Sequence, residues 1–405
     1  MKLLMLTPNL PSPTGGANAR NYHLLQALAR KHTVSLLAFV NSAELEAGTV
    51  MAHLQSLTHE LQVIPHVMNA INKTKRLQQF VSVARGQSYL LDLHMSLEVQ
   101  DTLDAMLARE HYDGVIFESS LMAGYTLPAD VLAIIDQHNI EHELLQRIYQ
   151  REKASLRKWY NWRESRILKR IEMAYCRKAD IVLVVSERER LLLKDLLPEQ
   201  MIEVVPNGVD IAAFHEDYPV QEVPDQIIFT GTMDYYPNTH AVLYFAKHCW
   251  PRIREQVLTA TWLIVGKNPP LEVQRLAANL PGVTVTGTVP DVRPYLMSSA
   301  VAIAPIQVGS GTRLKILEAL AAQKAVVSTT IGCEGLVVVP GEHLAVADTP
   351  ETFVQAVVTL LRNPHMRSTY GQAGRALVEA EYSWEWCGSQ LLRILAEKES
   401  VLLCS

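Results

Sequence analysis

The residues best suited to chemistry stand together in one stretch, Gly309-Ser310-Gly311-Thr312-Arg313-Leu314-Lys315-Ile316-Leu317-Glu318. A glycine-rich turn can bring backbone N–H groups close to an anion, and a helix N-terminus adds the positive end of its dipole. Arg313 and Lys315 bring two cations to the same place, and Glu318 adds a carboxylate that can accept hydrogen bonds from sugar hydroxyls. This combination favours a nucleotide or a nucleotide-sugar as the ligand. The alternative is an ordinary solvated helix start with a surface arginine and lysine.

The second half of the chain alternates strands and helices around this stretch. An uninterrupted apolar run at 300–304 predicts a buried strand before the turn, and a helix follows the turn. We predict further strands at 227–230, 262–265, 283–286, 325–328 and 336–339, and a helix at 239–255. Gly231 and Gly266 directly follow the first two of these strands. Ligands of open parallel sheets bind at the carboxyl ends of the strands, so these glycines predict a crevice that a nucleotide can approach closely.

The first half opens with the same alternation. We predict strands at 3–6, 34–40, 61–64, 113–117, 131–136, 179–186 and 202–205, with a helix from about Ala17. Gly15 and Gly16 lie in the loop after the first strand, where a ligand of a parallel sheet would bind. A plain turn explains the glycine pair equally well.

His138 lies just beyond the predicted strand 131–136. A histidine in this position can face the ligand crevice as a proton acceptor or as a hydrogen-bond donor, or it can be a structural residue of the loop. The segment 138–142 also matches the zinc-peptidase pattern H-x-x-E-H. That pattern requires both histidines on one helix, whereas here the first falls at a strand end.

The segment 151–178 is strongly basic. Ten cations against three acids give it a charge of +7, in a chain whose net charge is −5. The cations are Arg151, Lys153, Arg157, Lys158, Arg163, Arg166, Lys169, Arg170, Arg177 and Lys178. The segment can bind an anionic membrane or an anionic acceptor. It can equally be one long helix whose apolar face (Leu156, Tyr160, Ile167 and Ile171) packs on the sheet.

Length and composition limit the class of protein. A chain of 405 residues with 48% hydrophobic and 20% charged residues predicts two folded domains. The net charge of −5 argues against a general nucleic-acid binder. Five scattered cysteines without a C-x-x-C pair favour a reducing compartment. With neither a signal peptide nor a membrane span in the sequence, we expect a cytoplasmic protein, and the basic segment allows association with the cytoplasmic face of a membrane.

Taken in order, the motifs resemble glycosyltransferase family 4, the glycosyl transferases group 1, which are retaining enzymes of the GT-B fold. The residues that carry the resemblance are Gly15-Gly16, Val204-Val205-Pro206-Asn207-Gly208-Val209-Asp210, Phe229-Thr230-Gly231, Pro237-Asn238, Leu263-Ile264-Val265-Gly266 and residues 309–322. The resemblance implies an α/β fold of two Rossmann-like, doubly wound parallel-sheet domains facing a cleft. Residues 1–206 would form the acceptor-side domain together with the C-terminal helix 383–405, and residues 207–382 would form the nucleotide-sugar-binding domain.

The resemblance also implies roles for individual residues. Glu318 would bind the ribose hydroxyls, Arg313 and Lys315 would hold the diphosphate, and His138 would lie near the transferred sugar. The remaining donor-binding residues would be Gly15, Gly16, Gly231, Thr232, Gly266, Ser310, Gly311 and Thr312. Ser310 stands where many relatives have a sugar-contacting glutamate, so the identity of the sugar does not follow. The loop after Gly231 lacks an arginine and a lysine found in many relatives, and Arg313 and Lys315 can replace that charge.

The resemblance predicts a hexosyltransferase that moves a sugar from a nucleoside-diphosphate sugar to an acceptor hydroxyl, in polysaccharide, glycolipid or other glycoconjugate biosynthesis. The acceptor would be a carbohydrate, a lipid-linked molecule or a small molecule, and no cofactor is expected besides the nucleotide-sugar co-substrate. No two aspartates are spaced D-x-D, which predicts a metal-independent reaction. A nucleotide-sugar epimerase of the GT-B fold and a non-catalytic nucleotide-sugar-binding partner are the alternatives.

Overall fold

The chain folds as two α/β units. The structure is a computed structural model, and it describes residues 1–13, 15–40, 48–65, 71–153, 155–214 and 220–404. One unit comprises Met1–Pro206 and Cys387–Ser405, and the other comprises Asn207–Trp386.

The first unit is built on a parallel sheet with the strand order β3-β2-β1-β4-β5-β6-β7. Its strands are β1 (Lys2–Thr7), β2 (Thr33–Val40), β3 (Glu60–Pro65), β4 (Gly114–Glu118), β5 (Leu132–Gln137), β6 (Ile181–Val184) and β7 (Ile202–Val204). Its helices before the second unit are α1 (Ala17–Ala29), α2 (Gly48–Leu57), α3 (Ile71–Arg85), α4 (Tyr89–Asp92), α5 (Leu97–Arg109), α6 (Glu141–Arg151), α7 (Ser155–Lys178) and α8 (Glu187–Leu196). The strand order reverses between β1 and β4, so a crevice opens where their carboxyl ends part.

The second unit repeats this design with the order β10-β9-β8-β11-β12-β13. Its strands are β8 (Val223–Thr230), β9 (Thr261–Val265), β10 (Val283–Gly287), β11 (Ser299–Ala304), β12 (Ala325–Ser328) and β13 (Ala345–Val346). Its helices are α9 (Tyr236–His248), α10 (Trp250–Gln256), α11 (Leu271–Asn279), α12 (Arg293–Ser298), α13 (Leu314–Ala321), α14 (Pro350–Arg362) and α15 (Pro364–Glu381). The reversal falls between β8 and β11, and the predicted doubly wound α/β class is confirmed for both sheets.

The last helix, α16 (Trp384–Cys404), returns the chain to the first unit from Cys387 onward. Leu391, Ile394 and Leu395 are buried in a core cluster that also contains residues of β1, α1 and β2. The first unit is therefore completed by a segment that follows the whole second unit in sequence.

Two predicted elements of the second unit are wrong. The helix predicted at 239–255 is two helices, α9 and α10, because Pro251 has no backbone N–H to continue the ladder and lies in the first turn of α10. The strand predicted at 336–339 is absent, and the edge strand of the sheet is Ala345–Val346 instead. Val337 and Val339 are exposed, so their β-branched side chains gain no burial from a strand.

The basic segment is also packed differently from the prediction. It is divided between α6, which ends at Arg151, and α7, which begins at Ser155. The predicted apolar face is wrong at Leu156, which is 84% exposed. Tyr160, Ile167 and Ile171 are half-buried, and Ile171 packs against a core cluster that contains Leu168. The buried residues of α7 are Asn161, Glu164, Ser165, Leu168, Glu172, Met173 and Cys176. The two buried glutamates accept hydrogen bonds from neighbouring loops, so the helix packs through paired polar groups as well as apolar ones.

Candidate functional site

The carboxyl edge of the second sheet is lined by glycines. Gly231 follows β8, Gly266 follows β9, and the loop that begins at Gly309 follows β11. Gly266 has a φ of +155°, and a Cβ there would collide with the carbonyl oxygen of Gly231. The two strand ends therefore pack backbone against backbone, which only glycine permits at position 266.

Lys315, in the first turn of α13, lies against this glycine-lined edge. Its Nζ donates to Oδ1 of Asn238 at 2.7 Å and lies 3.8 Å from the centroid of the Phe229 ring. A Cβ at Gly231 would be 2.8 Å from this Nζ, so the missing side chain makes room for the ammonium group. Asn238 in turn donates from Nδ2 to the carbonyl oxygen of Thr232 at 2.8 Å. The amide thus fixes the cation relative to the end of β8.

Burial shifts the pKa values of both ionisable side chains in this cluster towards their uncharged forms. Burial lowers the pKa of Lys315 well below its usual range, and the nearby charge of Arg313 lowers it further. Burial raises the pKa of Glu318 to about 7, although Lys315 opposes the shift. A phosphate near Lys315 would restore the stability of its charged form, since an opposite charge raises the pKa of an ammonium group.

Arg313 closes the glycine-rich loop on itself. Its Nη1 donates to the backbone carbonyls of Ser310 and Gly311, and the residue is the N-cap of α13. Asn207 donates from Nδ2 to Thr312 Oγ1 at 2.7 Å, which ties the same loop to the beginning of the second unit. The structure thus brings together the predicted loop residues, with Lys315 rather than Arg313 directed at the end of β8.

A second cluster lies at the carboxyl ends of β4 and β5 in the first unit. Glu118 ends β4, and Asp136 lies near the end of β5, with His138 just after that strand. Nε2 of His138 contacts Oε1 of Glu118. From α1, the fully buried Arg20 donates to both oxygens of Asp136, at 2.9 Å from Nε and 2.6 Å from Nη2. Gly15 and Gly16 have positive φ angles and lead into α1, so the predicted glycine pair opens the helix that presents Arg20.

The protonation of this cluster follows from its burial. Burial raises the pKa of Glu118 well above its usual range, and the neighbouring Asp136 raises it further. Burial lowers the pKa of His138 to about 4. Burial therefore favours the uncharged carboxylic acid of Glu118 and the uncharged imidazole of His138 over their charged forms.

The ligand atoms of Glu118, Asp136 and His138 lie within 4.8 Å of one another, a donor set that could hold a metal ion. Arg20 already occupies both oxygens of Asp136, so the group is built as a hydrogen-bonded cluster. The H-x-x-E-H pattern does not assemble, because His142 pairs through Nδ1 with Glu172 at 2.5 Å while His138 pairs with Glu118.

Sequence reasoning missed Arg20, Glu118 and the positioning role of Asn238. A charged residue at the end of an apolar strand is a usable signal, and Glu118 directly follows the run Gly114–Phe117. Arg20 carries no such signal, since an arginine in the first turns of a helix is ordinarily exposed.

Two protein-family models match the chain, in the order expected for this fold. The model described as Glycosyltransferase Family 4 matches residues 14–213, and the model described as Glycosyl transferases group 1 matches residues 224–363. The second match lies within the second unit, and the first lies on the first unit except for its last seven residues, 207–213. The chain therefore belongs to the glycosyltransferases of the GT-B fold that these two models describe.

Individual proteins show the same likeness. Phosphatidyl-myo-inositol mannosyltransferase from Mycobacterium leprae is 27% identical over 220 residues, covering 52% of this chain and 58% of that protein. The chain thus matches little more than half the length of this curated relative. Among solved structures, sucrose-phosphate synthase from Thermosynechococcus elongatus has a TM-score of 0.72 at 16% identity, covering 99% of this chain and 100% of that chain. Anabaena HepE in complex with UDP-glucose has a TM-score of 0.66 at 13% identity, covering 98% and 100%. These structures support the GT-B fold.

In the part of the chain that the structure describes, the helices are all too short or too polar to cross a membrane.

Proposed function

We propose that the chain transfers a sugar from a nucleoside-diphosphate sugar to an acceptor hydroxyl, with retention of anomeric configuration and without a metal ion. The observation that carries this proposal is the ammonium group of Lys315, which Asn238 holds against the glycine-lined end of β8. A fixed cation at the switch point of a doubly wound sheet is suited to a bound diphosphate.

In the proposed reaction the bond between the anomeric carbon and the diphosphate oxygen breaks, and a bond to the acceptor oxygen forms. The acceptor hydroxyl proton leaves with the departing diphosphate or passes to water. The diphosphate gains negative charge as its bond breaks, so a cation already in place lowers the barrier. Lys315 and the backbone N–H groups of the glycine-rich loop supply that positive charge in place of a metal ion.

We assign the other roles from position and protonation. Glu318 accepts hydrogen bonds from the ribose hydroxyls, and Gly231, Thr232 and Gly266 approach the donor through their backbone. His138, whose Nε2 contacts Glu118, forms a hydrogen bond to the transferred sugar or to the acceptor through its imidazole ring. Arg313 keeps the glycine-rich loop closed around the diphosphate.

The acceptor class we propose is a lipid-linked hydroxyl compound on the pathway to a glycolipid or polysaccharide. Support comes from the Mycobacterium leprae relative, whose name, phosphatidyl-myo-inositol mannosyltransferase, states a lipid acceptor and a mannosyl group. UDP-sugars and GDP-sugars are the donors to test first, since one solved neighbour is a complex with UDP-glucose and another relative is named as dependent on GDP-mannose. The compartment we propose is the cytoplasm, and the buried free thiols of Cys176, Cys249, Cys333 and Cys387 support it.

The test is a calorimetric screen of UDP-sugars and GDP-sugars, followed by turnover with the donor that binds. A ligand at 100 times its Kd stabilises the folded protein by about 2.7 kcal/mol, so a thermal shift provides an independent readout. We expect Lys315→Ala to lower kcat by about 10²–10³-fold, the usual effect of removing one preorganised donor. Arg275→Ala, on the exposed face of α11, is the matched control.

Full activity of Lys315→Ala would overturn the assignment of the diphosphate site. The anomeric configuration of the product, determined by NMR, tests retention. Incubation of the donor alone distinguishes a transferase from an epimerase, since only an epimerase would release a new nucleotide-sugar without an acceptor.

A further inference from the structure

The helix α7 exposes large apolar side chains in its first two turns. Leu156 is 84% exposed, Trp159 49% and Trp162 41%. Tryptophan side chains are seldom exposed on a protein surface that contacts only solvent. In membrane proteins they are enriched at the interface between the hydrocarbon region and water.

The C-terminal part of α3 adds further exposed apolar residues close by. Leu77 is 64% exposed, Phe80 70% and Val81 36%. The two helices meet where Nη2 of Arg163 donates to the carbonyl oxygen of Ser82 at 3.2 Å. The exposed Val81 and Trp162 directly precede Ser82 and Arg163 in sequence. Exposed apolar residues of both helices therefore lie next to the contact between α3 and α7.

The acidic side chains of α7 are buried, whereas most of its basic side chains are exposed. The helix carries eight cations and two acids, and the acids are Glu164 and Glu172. Both acids are buried. Glu164 accepts from Ser88 Oγ at 2.5 Å, and Glu172 accepts from Ser120 Oγ at 3.0 Å and from His142. The solvent-facing side of α7 therefore presents cations without an acid of its own.

The exposed cations lie on the same side of α7 as the exposed apolar residues, further along the helix. They are Arg166, Lys169, Arg170, Arg177 and Lys178, after the exposed Arg157 near its start. Steps of three and four residues lead from Trp159 and Trp162 to Arg166 and then to Lys169 and Arg170, which places them on one side of the helix. Arg166 lies 5.4 Å from the Trp162 ring. Within the described residues, Lys169 and Arg170 form no ion pair.

We propose that the exposed face of α7, together with the C-terminal part of α3, binds an anionic membrane surface. Lysines and arginines near a bilayer gain energy from anionic headgroups, while tryptophan and leucine side chains enter the interface. A soluble polyanion would satisfy the cations but would leave these apolar side chains in water, so the combination favours a membrane. The proposal extends the proposed function, because it brings the enzyme to the surface where a lipid-linked acceptor lies.

The test is co-sedimentation of the full chain with vesicles of phosphatidylcholine alone or mixed with phosphatidylglycerol, at low and high salt. We expect binding to the mixed vesicles only, and weakening by salt. Lys169→Gln with Arg170→Gln removes two cations, each worth roughly 1 kcal/mol near such a surface, which converts to a roughly 30-fold weaker partition. Trp159→Ala with Trp162→Ala should also weaken binding, and this loss should remain at high salt.

The matched control is Arg30→Gln with Lys31→Gln, an exposed basic pair after α1 that should leave vesicle binding unchanged. Equal weakening by the control pair would overturn the assignment to α7, and no binding by the parent protein would overturn the proposal. Heparin binding that needs Lys169 and Arg170 but not the tryptophans, without vesicle binding, would assign the surface to a soluble polyanion. Donor affinity measured by calorimetry on the same variants should not change, so failure here is separable from failure of the proposed reaction.

Discussion

Arg20 and Asp136 form a buried bidentate ion pair between residues that are 116 positions apart, with N–O distances of 2.9 and 2.6 Å. The same guanidinium donates from Nη1 to the carbonyl oxygen of Pro206 at 3.0 Å. One side chain therefore joins the first helix, the end of β5 and the last residue before the second unit.

Removing this guanidinium should destabilise the first unit strongly. Arg20→Met leaves the Asp136 carboxylate buried without its partner, and breaking such a pair by one side costs about 3–5 kcal/mol. Urea unfolding followed by tryptophan fluorescence measures the loss. Arg30→Met, exposed after the same helix, should change stability by less than about 0.5 kcal/mol. A loss below about 1 kcal/mol for Arg20→Met would mean that the pair is not a structural requirement.

Glu118 should tolerate conversion to glutamine. Burial and the neighbouring Asp136 raise the pKa of Glu118, which favours its uncharged form, and a glutamine side chain is uncharged and has nearly the same shape. We expect Glu118→Gln to retain turnover within about threefold, whereas His138→Ala should lose about 10²-fold or more, as when a positioned proton donor is removed. If Glu118→Gln is as inactive as His138→Ala, the carboxyl group acts in its ionised form.

Asn238 should govern the affinity for the diphosphate without contacting it. Asn238→Asp places a carboxylate beside the Lys315 ammonium, where it neutralises the cation and repels phosphate. We expect the Kd of the nucleoside diphosphate to rise at least tenfold, while the Kd of the nucleoside alone stays constant. Asn279→Asp, exposed at the end of α11, adds the same charge and should leave both constants unchanged. A parallel loss of nucleoside affinity would indicate a folding defect instead.

Glu318 should make stability depend on pH. Its pKa is raised from about 4.5 to about 7 in the folded chain, so the folded state binds more protons between these values, and stability falls as the pH rises through that range. Glu318→Gln removes this effect. The stability of Glu318→Gln relative to the parent protein should therefore increase from pH 5 to pH 8, by at most about 3 kcal/mol since one pKa unit is worth 1.36 kcal/mol. A constant difference over this range would place the pKa of Glu318 near its ordinary value.

Much of the fold follows from local sequence patterns. Buried parallel strands are continuous apolar runs, and most of them were predicted within a few residues of their observed bounds. The two exceptions have local causes. Pro251 divides one predicted helix into two, and the predicted strand 336–339 does not form where Val337 and Val339 are exposed to solvent. The glycines at the ends of β8 and β9 were predictable because strand, turn and helix follow one another in order.

The arrangement of the site was only partly predictable. Lys315 and Glu318 were found because they are close together in sequence, on the helix after the glycine-rich loop. Arg20 and Glu118 were missed because their partners lie far away along the chain, and no sequence periodicity reports such pairs. The buried face of α7 was predictable only in part, because Glu164 and Glu172 are polar residues that become buried only when distant residues supply hydrogen bonds.

The return of α16 to the first unit has a consequence for biosynthesis. Leu391, Ile394 and Leu395 belong to the core beneath α1, yet the ribosome adds them only after Asn207–Trp386 has been made. The second unit is continuous in sequence and can fold as it leaves the ribosome. Until α16 has been synthesised, the first unit exposes the apolar surface that Leu391, Ile394 and Leu395 cover in the folded chain. Ribosome-bound chains that stop before Cys387 should therefore be the species that recruit chaperones, and they should release them once α16 is added.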